Sequence, residues 1–170
     1  MNDERKYAVL LKKGIGVEVH EKKSGDRDIL ETARRLNECQ WIETKHILDT
    51  KMVKGLSEDY VIPVNHKEYI LLLDEEGKLK EGNSVNFMAS YLYGTPLCGD
   101  AIVGNTVIVK AGGEDLELLT KDEAHEIATN LSKRNTQAHA CASVLYAIVE
   151  SGQIKDLHAQ VYPNMGFVVF

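Results

Sequence analysis

Three residues near the middle of the chain have the side chains that a ligand pocket needs. Asn86, Tyr91 and Tyr93 fall in one short segment, and Asn86 and Tyr93 share a face if that segment is helical. A carboxamide forms paired hydrogen bonds and a phenol ring offers a stacking surface, so this set suits a nucleobase or a ribose. The same residues also have a commoner structural role, in which Tyr93 packs its ring and Asn86 organises the first helical turn.

Cationic residues could supply the phosphate contacts of such a ligand. We select Arg34, which lies in a predicted helix within a locally basic part of the chain, and Lys110, which ends a predicted strand. Arginine binds phosphate oxygens in a bidentate manner and lysine acts as a point charge. For Arg34, a position on a solvated helix face is the structural alternative.

Histidine and cysteine are the residues that would serve metal or covalent chemistry. The histidines form no HExxH motif and no pair at zinc-ligand spacing, and the three cysteines form no CxxC pair. Cys98 could act as a nucleophile only with a base that folding brings beside it. We therefore expect no metal, no cofactor and no catalytic residue, and a hydrolase that uses Cys98 or a histidine ranks last among the functional hypotheses.

Composition and charge narrow the class of protein. The chain has 170 residues, of which 44% are hydrophobic and 27% are charged, as in an ordinary globular domain. No apolar segment reaches the length of a signal peptide core or a bilayer span, so we expect a cytoplasmic protein without a membrane partner. The net charge of −6 weighs against nucleic-acid binding, which needs a basic surface.

The residue pattern predicts an α+β fold, with a mixed or mostly antiparallel sheet and two to four helices packed on one face. Tyr69–Leu73 is a continuous apolar run, typical of a strand buried on both faces. Thr120 and Glu123 form a capping box that begins a helix. The other predicted elements are a hairpin at 7–12 and 16–21, a helix through 29–36, strands at 41–48 and 60–64, a helix capped by Asn83 or Ser84 and ended by Gly94, strands at 101–103 and 106–109, a helix at 136–151, and strands at 157–162 and 166–170.

The stretch from Tyr69 to Val109 has a distinctive order. A strand is followed by Asp-Glu-Glu-Gly-Lys-Leu, then Asn86, Leu92-Tyr93-Gly94, Ile102-Val103-Gly104 and a further strand. This order resembles an uncharacterised family of bacteriophages and mobile elements, domain of unknown function 3846, which often occurs near antirestriction genes. The resemblance covers about residues 7–131 of a single domain (1–170), and 136–170 form a C-terminal helix-plus-strand extension. It implies a phage or plasmid accessory protein that acts in the host bacterial cytoplasm.

These observations lead to two main functional hypotheses. The first is a phage-encoded, non-catalytic protein that sequesters a nucleotide-type immune signalling molecule, with Asn86, Tyr91, Tyr93, Arg34 and Lys110 as ligand-binding residues. A homo-oligomer would suit this task, because two chains can enclose a ligand that one cannot. The apolar surface of the alanine-rich helix at 136–151 suits either self-association or packing on its own sheet. The alternative is an anti-defence protein that inhibits a host enzyme by direct contact through acidic residues, at 74–76 or 114–115.

Overall fold

A computed structural model of this protein describes residues 5–150. The strands predicted at 157–162 and 166–170 lie outside the described residues, and so does the end of the predicted C-terminal extension. Within residues 5–150, no helix is long and apolar enough to cross a bilayer.

The described chain folds into one sheet and a set of helices. The strands are β1 (Tyr7–Leu11), β2 (Val17–Glu21), β3 (Ile42–His46), β4 (Tyr69–Asp74) and β5 (Thr106–Lys110). They pair in the order β2-β1-β5-β4-β3, and each pairing is antiparallel. The helices are α1 (Ile29–Asn37), α2 (Phe87–Tyr93), α3 (Thr95–Cys98), α4 (Lys121–Leu131) and α5 (Arg134–Glu150). The predicted α+β class is confirmed.

Both faces of the sheet are covered by helices. On β1, Val9 and Leu11 join a hydrophobic cluster with residues of α2, α4 and α5, whereas Ala8 and Leu10 join a second cluster with residues of α1. β4 contributes side chains to both clusters, as its continuous apolar sequence predicts. Helix α1 therefore lies on the face opposite α2, α4 and α5.

Helices on both faces of the sheet correct the prediction that they pack on one face, because alternate side chains of β1 and β4 are buried on both sides. Three predicted elements also differ from the structure. Tyr60–Val64 and Ala101–Val103 are loop segments rather than strands, although Val103 forms one isolated bridge with Val85. Their apolar side chains pack in the cluster that contains α2, so tertiary packing rather than strand pairing explains their composition. Helix α2 begins later than predicted, and neither Asn83 nor Ser84 is its N-cap.

The side chain of Asn86 joins three parts of the fold. Its Oδ1 accepts a hydrogen bond from the backbone N–H of Ala89 (3.0 Å), so Asn86 is the N-cap of α2. Its Nδ2 donates to the carbonyl oxygens of Leu11, at the end of β1 (2.8 Å), and of Gly104, just before β5 (2.9 Å). Because Asn86 is fully buried, these bonds do not compete with water, and they fix the start of α2 against the ends of two strands.

We predict that Asn86→Ala lowers the free energy of unfolding by about 3 kcal/mol or more, because two buried carbonyls and a helix N–H lose their partner. Chemical denaturation followed by circular dichroism measures the loss. Asn135→Ala is the matched control, since Asn135 is exposed near the start of α5, and it should change stability by less than about 0.5 kcal/mol. Equal losses in the two variants would contradict this role of Asn86.

Two aspartates fix the start of α1. Asp28 is its N-cap and accepts a hydrogen bond from a first-turn N–H at 2.8 Å. The nearly buried Asp26 accepts hydrogen bonds from the guanidinium of Arg35 (2.8 Å) and the hydroxyl of Thr32 (3.1 Å). The Arg35 hydrogen bond lowers the pKa of Asp26 to about 2. These contacts fix the first turns of α1. The helix is held on the sheet by Ala33 and Leu36, and its last residue, Asn37, lies beside β4.

The lowered pKa of Asp26 predicts a contribution to stability that is lost in acid. Because the folded pKa of about 2 lies below the ordinary 3.8, the contribution is complete above about pH 5 and is lost as the pH falls toward 2. Its size is about 2 kcal/mol. We therefore expect Asp26→Asn to destabilise the protein by about this amount near pH 7, and by about half of it near pH 3. Urea unfolding at both pH values tests this, and an equal loss at both would contradict it.

Candidate functional site

Two of the predicted ligand-binding residues, Asn86 and Tyr91, lie in the interior. The polar atoms of Asn86 are used by the backbone contacts described above. Tyr91 is also buried, its hydroxyl donates to the carbonyl oxygen of Val61 (2.8 Å), and its ring stacks on Tyr60 with centroids 4.5 Å apart. Burial raises the pKa of Tyr91 to about 12, so the phenol stays neutral. Both side chains therefore stabilise the fold. For Asn86, this is the structural role given above as the alternative to ligand binding.

Of the two tyrosines predicted to bind a ligand, Tyr93 is the one that stays partly exposed. It is half-buried at the end of α2 and packs against the cluster that contains α2, α4 and α5. The ammonium of Lys45, on β3, lies 5.3 Å from the centroid of its ring. This cation–π contact occupies one part of the ring that a stacked base would use.

The two predicted phosphate-binding residues lie on opposite faces of the sheet. Arg34 belongs to α1, and its Nε donates to the carbonyl oxygen of Gln40 (3.1 Å). Lys110 points to the α4 side, where its Nζ donates to Glu123 Oε2 (2.8 Å) and the pKa of the ammonium is raised by that bond. The five residues chosen from the sequence are thus not brought together around one cavity.

A different set of polar residues converges at the end of the sheet where α1 and β4 end. A cleft of about 150 Å³ lies there, between the turn after β1, the loop after β4 and the loop before β5. We call it the asparagine cleft, and its polar lining residues are Lys13, Asn37, Glu38, Asp74, Lys80, Glu81, Asn83 and Asn105.

Asn37 carries the unsatisfied group of the asparagine cleft. The residue is 6% exposed, its Nδ2 donates to the carbonyl oxygen of Leu72 (3.0 Å), and its Oδ1 has no hydrogen-bond partner among the described residues. The orientation of the amide is fixed, because a carbonyl can only accept and the nitrogen must face Leu72. A buried acceptor without a partner costs about 1–3 kcal/mol of stability.

The other two asparagines hold the walls of the cleft. Asn83 Nδ2 donates to the carbonyl oxygen of Gly77 (2.9 Å), and Asn105 Oδ1 accepts from the backbone N–H of Lys13 (2.9 Å). Gly104 has a φ of +90°, and a Cβ there would lie 2.9 Å from the Asn83 side chain. Glycine at this position therefore allows the loop before β5 to pass close to Asn83.

An ion pair lies across the asparagine cleft. The Asp74 side chain is 5% exposed, and its carboxylate binds the ammonium of Lys80 and accepts from the backbone N–H of Glu76 (2.9 Å). The hydrogen bond to Asp74 raises the pKa of Lys80, so the ammonium stays charged. The charge of Asp74 is thus balanced by Lys80. Of the predicted acidic surface at 74–76, the exposed carboxylates are those of Glu75 and Glu76.

The thiols offer little nucleophilic chemistry near the cleft. Burial, followed by the Asp74 carboxylate, raises the pKa of the neighbouring Cys39 to about 11, and burial raises that of Cys141 to a similar value. Cys98 is exposed, and its Sγ lies 3.8 Å from the carbonyl oxygen of Asp100. Among residues 5–150, no three or more His, Cys, Asp or Glu side chains are grouped as metal ligands. The arrangement suits hydrogen bonding to a ligand.

Comparison of the chain with protein-family models, curated proteins and solved structures finds no match. The resemblance to the mobile-element family stays a prediction, carried by the residues between Leu73 and Val109. The asparagine cleft was not predicted from the sequence, since Asn83 and Asn105 beside glycines are typical of turns and Asn37 is typical of a helix end. No local pattern indicates that the three converge.

We predict that Lys80→Met lowers the free energy of unfolding by about 1–3 kcal/mol, because the Asp74 carboxylate stays buried without its cation. Lys78→Met is the matched control, since the side chains of Lys78 and its partner Asp100 are 54% and 50% exposed. An exposed pair contributes less than about 1 kcal/mol. Thermal and urea unfolding compare the two variants, and a control that loses as much as Lys80→Met would rule out a special role for the buried pair.

Proposed function

We propose that the protein is a non-catalytic, phage-encoded binding protein that sequesters a nucleotide-type immune signalling molecule in the host cytoplasm. The observation that carries the proposal is the asparagine cleft itself, in which polar and charged side chains from separate parts of the chain converge. The phage origin and the anti-defence role rest on the resemblance of residues 7–131, and the binding role rests on the cleft.

The chemistry of the asparagine cleft suits part of a nucleotide. The exposed carboxylates of Glu38 and Glu81 match the amino group of a base or the hydroxyls of a ribose, and the exposed ammonium of Lys13 matches a phosphate. At about 150 Å³ the cleft is smaller than ordinary ligand pockets, which have about 300–1,000 Å³. It can therefore enclose one portion of the ligand while the rest lies outside.

A homo-oligomer is part of the proposal, because a second chain could cover the outer portion of the ligand. Helix α5 supports self-association, since Tyr146 and Val149 are 68% and 44% exposed. An apolar groove beside it is lined by Cys141, Ala142 and Leu145. Exposed apolar surface of this kind marks contacts between proteins.

Binding and release of an intact ligand test the proposed function. Protein purified from phage-infected bacteria is heated, and the released small molecules are identified by mass spectrometry. The proposal predicts a nucleotide that is recovered unchanged and that rebinds to fresh protein. A chemically altered product would indicate catalysis, and co-purification of a host enzyme without any nucleotide would favour the direct-inhibition alternative.

Two variants locate the site. We expect Lys13→Met to weaken rebinding about tenfold, because the ligand loses an exposed cation at the edge of the cleft. Tyr93→Ala is the control, since Tyr93 does not line the asparagine cleft. Calorimetric titration measures both, with circular dichroism to establish that each variant is folded. Weaker binding in Tyr93→Ala alone would place the ligand at the end of α2 and contradict this site.

A further inference from the structure

We infer that β3 is a dimerisation edge, at which two copies of the chain pair antiparallel about a twofold axis beside Thr44 and join their sheets. The inference goes beyond the proposed function, because it assigns the surface that joins two copies and holds whether or not the asparagine cleft binds a nucleotide. Its support comes from the backbone, the exposure and the charges of β3.

The backbone of β3 has a free hydrogen-bonding edge. The strand lies at the end of the sheet and pairs with β4 alone among residues 5–150. The N–H of Glu75 donates to the carbonyl oxygen of Trp41 (3.1 Å), so every second residue from Trp41 onward directs its backbone groups toward β4. The N–H and C=O groups of Ile42, Thr44 and His46 therefore point away from β4, and they have no hydrogen-bond partner in the part of the chain that the structure describes.

This edge is accessible to a second chain. Thr44 and His46 are exposed, and β3 runs from Ile42 to His46 without a proline or a β-bulge. Natural proteins commonly shield an edge strand with such a device or with a covering segment, because an open edge is a template for pairing. β3 therefore has a backbone that permits the addition of another strand.

The register of the pairing follows from the positions of the free backbone groups. When the twofold axis lies beside Thr44, this residue is opposite Thr44 of the second copy, and Ile42 is opposite His46 of the second copy. All outward-facing N–H and C=O groups of β3 then have partners. Two threonines directly opposite each other are also a favourable cross-strand pair.

The charged side chains of β3 are complementary in the same register. Glu43 lies opposite Lys45 of the second copy, at a non-hydrogen-bonded position where side chains approach most closely. Within one chain, Lys45 Nζ contacts Glu43 Oε1 (2.9 Å), and the two side chains stay 27% and 36% exposed. Joining two copies places two such pairs side by side with opposite charges adjacent, so neither pair has to break.

The other edge of the sheet lacks this complementarity. β2 contains Glu18 and Glu21 but no lysine or arginine, and its remaining ionisable residue is His20. Pairing of β2 with its own copy would gather the carboxylates of both chains, and like charges on facing strands are destabilising. Pairing of β2 with β3 joins two different surfaces and does not close into a twofold dimer. Pairing of β3 with β3 is thus the favoured combination.

Light scattering during size-exclusion chromatography, over a range of protein concentrations, tests the inference on the full-length protein without a ligand. We expect an equilibrium between monomer and dimer. Trp41 is the only tryptophan of the chain, immediately precedes β3 and is 53% exposed, so its fluorescence should shift to shorter wavelength as the dimer forms. Dilution should reverse the shift.

Thr44→Pro removes the central outward-facing N–H while the ladder to β4 stays intact, since an edge strand tolerates proline where the nitrogen faces solvent. We expect the dissociation constant of the dimer to rise about tenfold or more. Thr44→Val is the matched control, because it keeps both the N–H and the β-branched shape, and its dissociation constant should stay within about threefold of that of the unmodified chain. Circular dichroism establishes that both variants are folded.

Two charge variants keep the test decisive if proline disturbs folding. Glu43→Lys and Lys45→Glu each place like charges opposite each other, so each variant alone should dimerise about tenfold more weakly. In an equimolar mixture, strands of opposite charge can pair, and a heterodimer should form at concentrations where each variant alone is monomeric. Such rescue requires contact between chains, and the ion pair within one chain cannot produce it.

Four results would overturn the inference. They are a monomer at every concentration, a folded Thr44→Pro variant that dimerises as the unmodified chain does, charge variants that stay monomeric when mixed, and a dimer that Tyr146→Ser abolishes while the β3 variants leave it unchanged. The last result would assign self-association to α5. A monomer at every concentration would also remove the oligomer from the proposed function, whereas the release of a nucleotide on heating tests the binding role separately.

Discussion

One buried carboxamide, that of Asn86, determines how the parts around the asparagine cleft are arranged. It binds the last carbonyl of β1 and the carbonyl of Gly104, and it caps α2. The turn after β1 and the loop before β5 are therefore held side by side, which allows the Lys13 N–H to reach Asn105 at 2.9 Å. This contact adds to the pairing of Leu11 with Thr106, which joins the same two segments at the ends of β1 and β5.

The sequence was sufficient to predict the helices and strands that depend on local residue patterns. The apolar run of β4 and the capping box of α4 were predicted at their observed places, because strand burial and helix capping depend on neighbouring residues. The site was not predictable in this way. Asn86 has the residue type and spacing of a ligand-binding group, and only its burial, set by distant strands, assigns it to the fold. Asn37 and Asn105 meet through tertiary structure alone.

Pairing rather than residue type decides which charges can serve a ligand. Lys110 was predicted to contact a phosphate because of its charge, but its ammonium forms an ion pair with Glu123. Asp74 belongs to an acidic run in the sequence, yet Lys80 neutralises it. After such pairs are removed, the exposed charged residues of the asparagine cleft are Lys13, Glu38 and Glu81. The Oδ1 of Asn37 has no partner among residues 5–150, but it is buried and has almost no accessible surface.

The most direct test of this account is a nuclear magnetic resonance titration of ¹⁵N-labelled protein with the small molecule that heat releases. Side-chain amide signals report each asparagine separately. The account predicts that the signals of Asn37, Asn83 and Asn105 shift together and saturate at one ligand concentration. Saturable shifts confined to the surroundings of Tyr93 and Lys45, with the three asparagine signals unmoved, would contradict it.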